Sequence, residues 1–203
     1  LHNADFKSIG LSDYGKYENY MARQIARWSK QYKNSETTLI PEMDNLIEWL
    51  PQNIPPGEET SIVHGDFRLD NMVFDKNSNE VIAILDWELS TLGHPIADFT
   101  YHMMTWRMPL GVQGIGILGA NLDELNIPNE NEYAEAYYQK TNRNEIHNWD
   151  FFLAYNMFRL AGITQGIAGR VRDGTASSDQ AKQYGAFVPI LSQMAWKIVE
   201  NIK

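Results

Sequence analysis

Apolar residues fall into two kinds of pattern along this chain. Between residues 17 and 33, Met21, Ile25, Trp28 and Tyr32 recur every three to four positions, and Met43, Leu46, Ile47 and Leu50 do the same between 41 and 50. That spacing puts each set on one face of an amphipathic helix. After Ser61 the pattern changes. Residues 71–75 and 81–85 are short apolar runs rich in β-branched side chains, separated by the polar stretch Lys76-Asn77-Ser78-Asn79-Glu80. They predict two strands joined by a turn. Helical periodicity returns at 96–106, 130–141, 149–171 and 179–202, with Pro128-Asn129 and Ser177-Ser178-Asp179 as start signals and Asp173-Gly174 as a stop. Pro189 lies inside the last segment, so that helix should kink or begin near it. The pattern predicts an α+β, mostly helical fold with one β-hairpin embedded in it.

The hairpin carries the chemistry. If Asp75 pairs with Val81 across the turn, antiparallel register sets Asn71 beside Leu85, and Asp86 emerges next to Asn71 at the open end. A carboxylate and an amide oxygen side by side suit Mg²⁺ bound together with substrate phosphates. Asp66 sits five residues before Asn71, in the preceding loop, and can face the same space. The full strings are His64-Gly65-Asp66-Phe67-Arg68-Leu69-Asp70-Asn71 and Ile84-Leu85-Asp86-Trp87-Glu88. They spell H-x-D-x-x-x-x-N and then D-x-E. Phosphoryl transfer of the protein-kinase type needs such a set: a carboxylate near the acceptor hydroxyl, and an Asn and an Asp on the metal.

Composition narrows the partners. A net charge of −9 argues against a general nucleic-acid binder, which shows a basic face, and is compatible with a cationic acceptor. No apolar run approaches the ~20 residues needed to span a membrane, and Leu1-His2-Asn3-Ala4-Asp5 does not resemble a signal peptide. The absence of cysteine excludes disulfides and thiolate metal sites and fits a cytoplasmic protein. At 203 residues the chain has the length of one domain, with room for two subdomains.

These motifs resemble the catalytic signature of the aminoglycoside phosphotransferase and choline kinase superfamily. Gly93-His94-Pro95-Ile96-Ala97-Asp98 is similar to the G-x-P-x-x-D segment that follows its metal-binding Asp. The fuller strings look most like the kinase domain of acyl-CoA dehydrogenase family members 10 and 11 and their stand-alone bacterial relatives. Phe158-Arg159-Leu160-Ala161-Gly162-Ile163-Thr164-Gln165-Gly166 and Gly174-Thr175-Ala176-Ser177-Ser178 add to that likeness. The resemblance implies a protein-kinase-like fold, ATP and Mg²⁺ as cofactors, and a small-molecule hydroxyl substrate.

Carried onto this sequence, it makes Asp66 the base or hydroxyl-orienting carboxylate and Asn71 and Asp86 the Mg²⁺ ligands. Arg68 is open to two readings, a contact to the transferred phosphate or a salt bridge within the loop. Glu88 likewise either reaches a second metal or is a polar loop residue. Asp98 is expected to anchor the catalytic loop from beneath, and His64 to pack and hydrogen-bond within it. Trp106, Arg107, Tyr155 and Arg159 are candidates for the acceptor pocket, the aromatic ones with core packing as the rival reading. Arg159, on an apolar helix, needs a partner: Asp98, another acidic side chain or a substrate anion. A coenzyme A ester as acceptor would need a basic patch, for which Arg107, Arg159, Arg170 and Arg172 are the candidates.

The resemblance covers the carboxy-terminal, large lobe of such a kinase. Residues 1–60 form a helical subregion, 61–106 the catalytic loop and metal hairpin, and 107–203 a helical acceptor-side region. No strand Lys or phosphate loop precedes Ser61. The glycine cluster at 111–119 reads as an ordinary loop, because it follows the catalytic motifs and no strand with a Lys succeeds it. The expectation is therefore a fragment without its small amino-terminal lobe, inactive alone, from a kinase acting on a hydroxyacyl-type or aminoglycoside-like compound. The rival is a non-catalytic pseudokinase or binding module.

Overall fold

The computed structural model describes residues 1–111, 115–143, 147–176 and 181–202. The start signal at Ser177-Ser178-Asp179 and the middle of the glycine cluster lie outside them. The amphipathic stretches become α1 (Tyr20–Ser35) and α2 (Pro41–Gln52), with Met21, Ile25, Trp28 and Tyr32 buried on the first and Met43, Leu46 and Leu50 on the second. Pro41 opens α2 where no amide hydrogen is needed, and Glu42 and Asp44 complement the positive end of its dipole.

Four short strands follow. β1 (Ser61–Val63) pairs antiparallel with β4 (Thr91–Gly93), and β2 (Met72–Phe74) with β3 (Val81–Ile84). The β1–β4 pair was not legible from the periodicity. In β2–β3, Met72 faces Ile84 and Val73 faces Ala83, but a bulge then sets Phe74 against Val81. The register at the open end is the expected one; at the turn it is shifted by one residue, because Asp75 N–H bonds Glu80 and the Asp75 carboxylate accepts from the Asn77 and Ser78 amides.

α3 (Pro95–Met103) begins directly after β4, its Ile96 amide capped by His94 Nδ1. Burial lowers the His94 pKa to about 4, which keeps that nitrogen a neutral acceptor. A 3₁₀ turn, Met104–Trp106, ends this stretch, and α4 (Glu130–Thr141) starts with a capping box between Asn129 and Glu132.

The centre of the molecule is α5 (Trp149–Arg172), with every residue from Phe151 to Gly162 buried. A helix buried on all faces must be surrounded, and α1, α3 and α7 (Phe187–Ile202) pack around it. Gly169 lets α1 come close, since a Cβ there would lie 2.8 Å from Ser35 Cβ. Asn156 Nδ2 donates to Ala97 O and Thr100 Oγ1, each at 2.9 Å, locking α3 to α5. The final predicted helix is two: α6 (Ala181–Tyr184), then α7, with Pro189 in its first turn where the missing amide hydrogen costs nothing. Among the described residues, no helix is long and apolar enough to cross a membrane.

Candidate active site

The loop between β1 and β2 is held in shape by Asp98. Its carboxylate, buried on α3, accepts from the His64 amide at 2.8 Å and the Gly65 amide at 2.7 Å, and lies 3.1 Å from His2 Nε2. Burial alone would push this carboxyl up; the His2 imidazole and the two amides outweigh it and hold it below the usual range. Gly65 turns the chain at φ +85°, and a Cβ would stand 2.6 Å from Leu89 O, so both conformation and space demand glycine.

His64 ties the loop to the hairpin. Its Nδ1 accepts from the Asp66 amide at 3.2 Å, and its Nε2 donates to Leu85 O at 2.9 Å. One nitrogen accepting and the other donating is the hydrogen-bonding pattern of a neutral ring. The ring lies 4.7 Å from that of Trp87.

Asn71 completes the join. Its side-chain amide donates to Asp66 O at 2.8 Å and to Asp66 Oδ2 at 3.2 Å, while its backbone carbonyl accepts from the Leu85 amide at 2.8 Å. The residue after Leu85 is Asp86, at φ 64° in the left-handed region, with an exposed side chain. A non-glycine residue in that conformation is a strain the surroundings must support. Here the 3₁₀ turn Trp87–Leu89 supports it, with Trp87 Nε1 donating to Ile84 O at 2.8 Å. Glu88 stands exposed in the same turn.

This donor set fits a hard divalent cation. Both hydrogens on Asn71 Nδ2 are spent on Asp66, which leaves Oδ1 the side-chain oxygen able to take a cation. Among the described residues no group of three His, Cys, Asp or Glu gathers as a self-sufficient cage. A site with few protein oxygens suits Mg²⁺, which keeps waters and shares phosphates.

Arg68 lies within the loop's own acidic surroundings, with Nε 3.8 Å from Asp66 Oδ2 and a terminal nitrogen 3.5 Å from Asp70 Oδ2. Its side chain also borders a cavity of about 400 Å³ walled by Tyr101, His102, Trp106, Ile117 and Leu160. The walls are mostly apolar, and burial holds the His102 pKa at about 4, so that ring is neutral. Trp106 is the one acceptor-pocket candidate at this wall, its indole N–H bonded to Pro128 O at 2.9 Å.

The other three are placed differently. Tyr155 is sealed in the core at 2% exposure. Arg107 is engaged with Glu130 and with Asp150 at the starts of α4 and α5. Arg159 is buried beneath the loop, where its guanidinium donates to Gly65 O and faces aromatic rings rather than Asp98. Sequence reasoning missed Tyr101, in the cavity wall and under the Arg159 guanidinium; burial, with Asp66 nearby, pushes its pKa up to about 12. The available signal was its spacing of three from Asp98, which puts both on the helix face toward the loop.

The profile of the phosphotransferase enzyme family matches residues 1–139, a span that holds Asp66, Asn71, Asp86 and Asp98. This chain belongs to that family. Among its relatives, mouse acyl-CoA dehydrogenase family member 10 is 40% identical over 197 residues, covering 97% of this chain and 18% of the mouse protein. Human acyl-CoA dehydrogenase family member 11 is 38% identical over 195 residues, covering 95% of this chain and 25% of its own length. A crystal structure of a candidate aminoglycoside phosphotransferase from Ralstonia eutropha JMP134 superposes with a TM-score of 0.95 at 51% identity, covering 99% of this chain and 61% of that one. This chain thus spans about a fifth to a quarter of those two curated relatives and three fifths of the solved bacterial protein.

Proposed function

We infer that this chain carries the metal and acceptor side of an ATP- and Mg²⁺-dependent kinase that phosphorylates a hydroxyl group on a small molecule. The observation that supports this most is the join at the open end of β2–β3, where Asn71 touches Asp66 through its side chain and the Asp86 segment through its backbone. Bound Mg·ATP would supply the γ-phosphoryl group and an ADP leaving group whose charge the metal offsets. Asn71 Oδ1 and the Asp86 carboxylate would hold the ion, and Glu88 is near enough in sequence to serve a second. Asp66 takes the proton of the acceptor hydroxyl as that oxygen bonds to phosphorus and the bond to the ADP oxygen breaks. Arg68, at the cavity mouth, offsets charge on the group in transit. His64 and Asp98 keep the loop in place and do no chemistry.

The acceptor reading rests on the cavity. Apolar walls reached past Arg68, the neighbour of Asp66, favour a hydroxylated acyl-type metabolite over an aminoglycoside, a polycation with little to bury there. Of the four arginines considered for a coenzyme A ester, Arg107 and Arg172 are paired to acidic neighbours and Arg159 is buried, so a basic patch is not assembled from them. This reading makes the protein a cytoplasmic small-molecule enzyme with neither nucleic acid nor membrane as partner. It assigns the phosphate-covering loop and strand Lys to a small lobe outside these residues.

The test separates base from metal. In the full-length protein, Asp66→Asn should lower kcat by at least ~10², the scale of a positioned acid–base group, with nucleotide affinity little changed. Asn71→Ala and Asp86→Ala should each weaken Mg²⁺-dependent nucleotide binding. Equal nucleotide affinity with and without Mg²⁺ in the unmutated protein would remove the metal assignment, and near-normal turnover of Asp66→Asn would remove the base.

A further inference from the structure

Arg159 is a buried cation that no carboxylate pairs among the described residues. It stands on α5 at 7% exposure, between Phe158 and Leu160. One terminal nitrogen donates to Gly65 O at 2.5 Å, and its Nε has no hydrogen-bond partner. The guanidinium carbon lies 4.5 Å from the centre of the Tyr101 ring and 5.5 Å from that of Trp28. Packing alone does not account for an arginine here. An apolar side chain of the same volume would fill the space without the desolvation that a buried charge carries. The position needs what a guanidinium has and a hydrocarbon lacks, a donor and a positive charge.

Each has a partner here. The donor fixes the carbonyl of Gly65, the peptide unit that leads into Asp66. The charge rests on the Tyr101 ring as a cation over a π face and so fixes the ring that stands nearest the loop on this side. Tyr101 also forms part of the cavity wall. The backbone before Asp66 and the wall an acceptor would press against are thus both referred to a single buried cation.

We propose that Arg159 is a positioning residue for Asp66, setting the Gly65–Asp66 peptide through its bond to Gly65 O, with Tyr101, the ring the guanidinium rests on, as its support. The proposal rests on the role given to Asp66 above, and its test includes a readout that does not need that role. The variants are Arg159→Met, Arg159→Lys and Tyr101→Phe in the full-length protein, and the probe is Mg·ATP with phosphate release to water as acceptor. Tyr101→Phe, which removes the polar edge of the supporting ring, should lower kcat about 10-fold, the scale of one lost polar interaction, with KM for Mg·ATP unchanged. Arg159→Met should lower kcat further, and Arg159→Lys, which restores donor and charge, should recover most of it.

Hydrogen–deuterium exchange over residues 62–72 is measured on the same variants. Faster exchange in Arg159→Met, reversed in Arg159→Lys, supports the proposal. If the unmutated protein releases no phosphate, water does not serve as acceptor and the exchange data alone decide the positioning network. Wild-type exchange and wild-type kcat in Arg159→Met would overturn it, as would a Lys variant no better than Met. Should Arg159→Met fail to fold, Tyr101→Phe decides: an unchanged kcat there refutes the proposal.

Discussion

Asp98→Asn swaps one oxygen for an NH₂ at nearly constant volume and tests how the loop is held. The wild-type carboxylate accepts from the amides of His64 and Gly65 and lies against His2. An asparagine keeps one oxygen and points an NH₂ group at what was the other acceptor position. One buried amide donor is left facing another donor, at about 1–3 kcal/mol, and the surviving bond loses its charge assistance, at about 1 kcal/mol more. The sum, about 2–4 kcal/mol, corresponds to roughly 4–16 °C in Tm for a chain of this size. The sign of the pH dependence follows from the depressed Asp98 pKa. Its stabilisation is fully present above the ordinary 3.8 of an unfolded aspartate and is lost as pH falls through the lower folded value. Urea unfolding of both proteins at neutral pH and in steps below pH 4 measures this. The gap should be full at neutral pH and narrow below the ordinary value. A gap below about 1 kcal/mol at neutral pH, less than one buried donor is worth, or one that widens on acidification, would refute the anchoring argument.

Two further outcomes are expected. Gly65→Ala forces a Cβ against Leu89 O at a positive φ and should destabilise the chain by about 2–4 kcal/mol in denaturant titrations, strain and overpacking together; a loss under 0.5 kcal/mol, the size of an ordinary surface change, would mean that the loop can move aside. Titrating Mg·ATP into these 203 residues alone by calorimetry should give weak binding and negligible turnover, both restored by the small lobe; micromolar binding would place the whole nucleotide site within this chain.

Much of this fold was legible because its strongest signals are periodic. The buried faces of α1 and α2 follow from residues three and four apart, and the open-end register of β2–β3 follows from apolar runs flanking a polar turn. The β1–β4 pair was missed because three-residue strands are too short to show alternation and their partners are 30 positions apart in the chain. The bulge at Phe74 came from a side chain: the Asp75 carboxylate takes two turn amides and draws the turn one residue tighter. At the site, Asn71 meets Asp66 through its side chain and the segment before Asp86 through its backbone, as the spacing required. The partner of Arg159 could not be read, since a backbone carbonyl and two ring faces carry no charge for a sequence argument to match. Tyr155 and Arg107 were misplaced for the reverse reason: residue type marks what a pocket can use, while burial and ion pairing decide whether the side chain is there.

The cavity beside Arg68 has a divided construction. One side is formed by Arg68, Leu69 and Asp70, in the loop that His64, Asn71 and Asp98 hold in shape. The opposite wall includes Ile115, Ile117 and Ile127, on the connection between the Met104–Trp106 turn and α4, outside those clasps. Exchange of these three isoleucines changes the shape of the chamber without disturbing a single bond that sets the reacting groups. On the proposed reading, a protein built this way can drift from one acceptor to another through its connecting loop while the catalytic loop's frame is inherited intact.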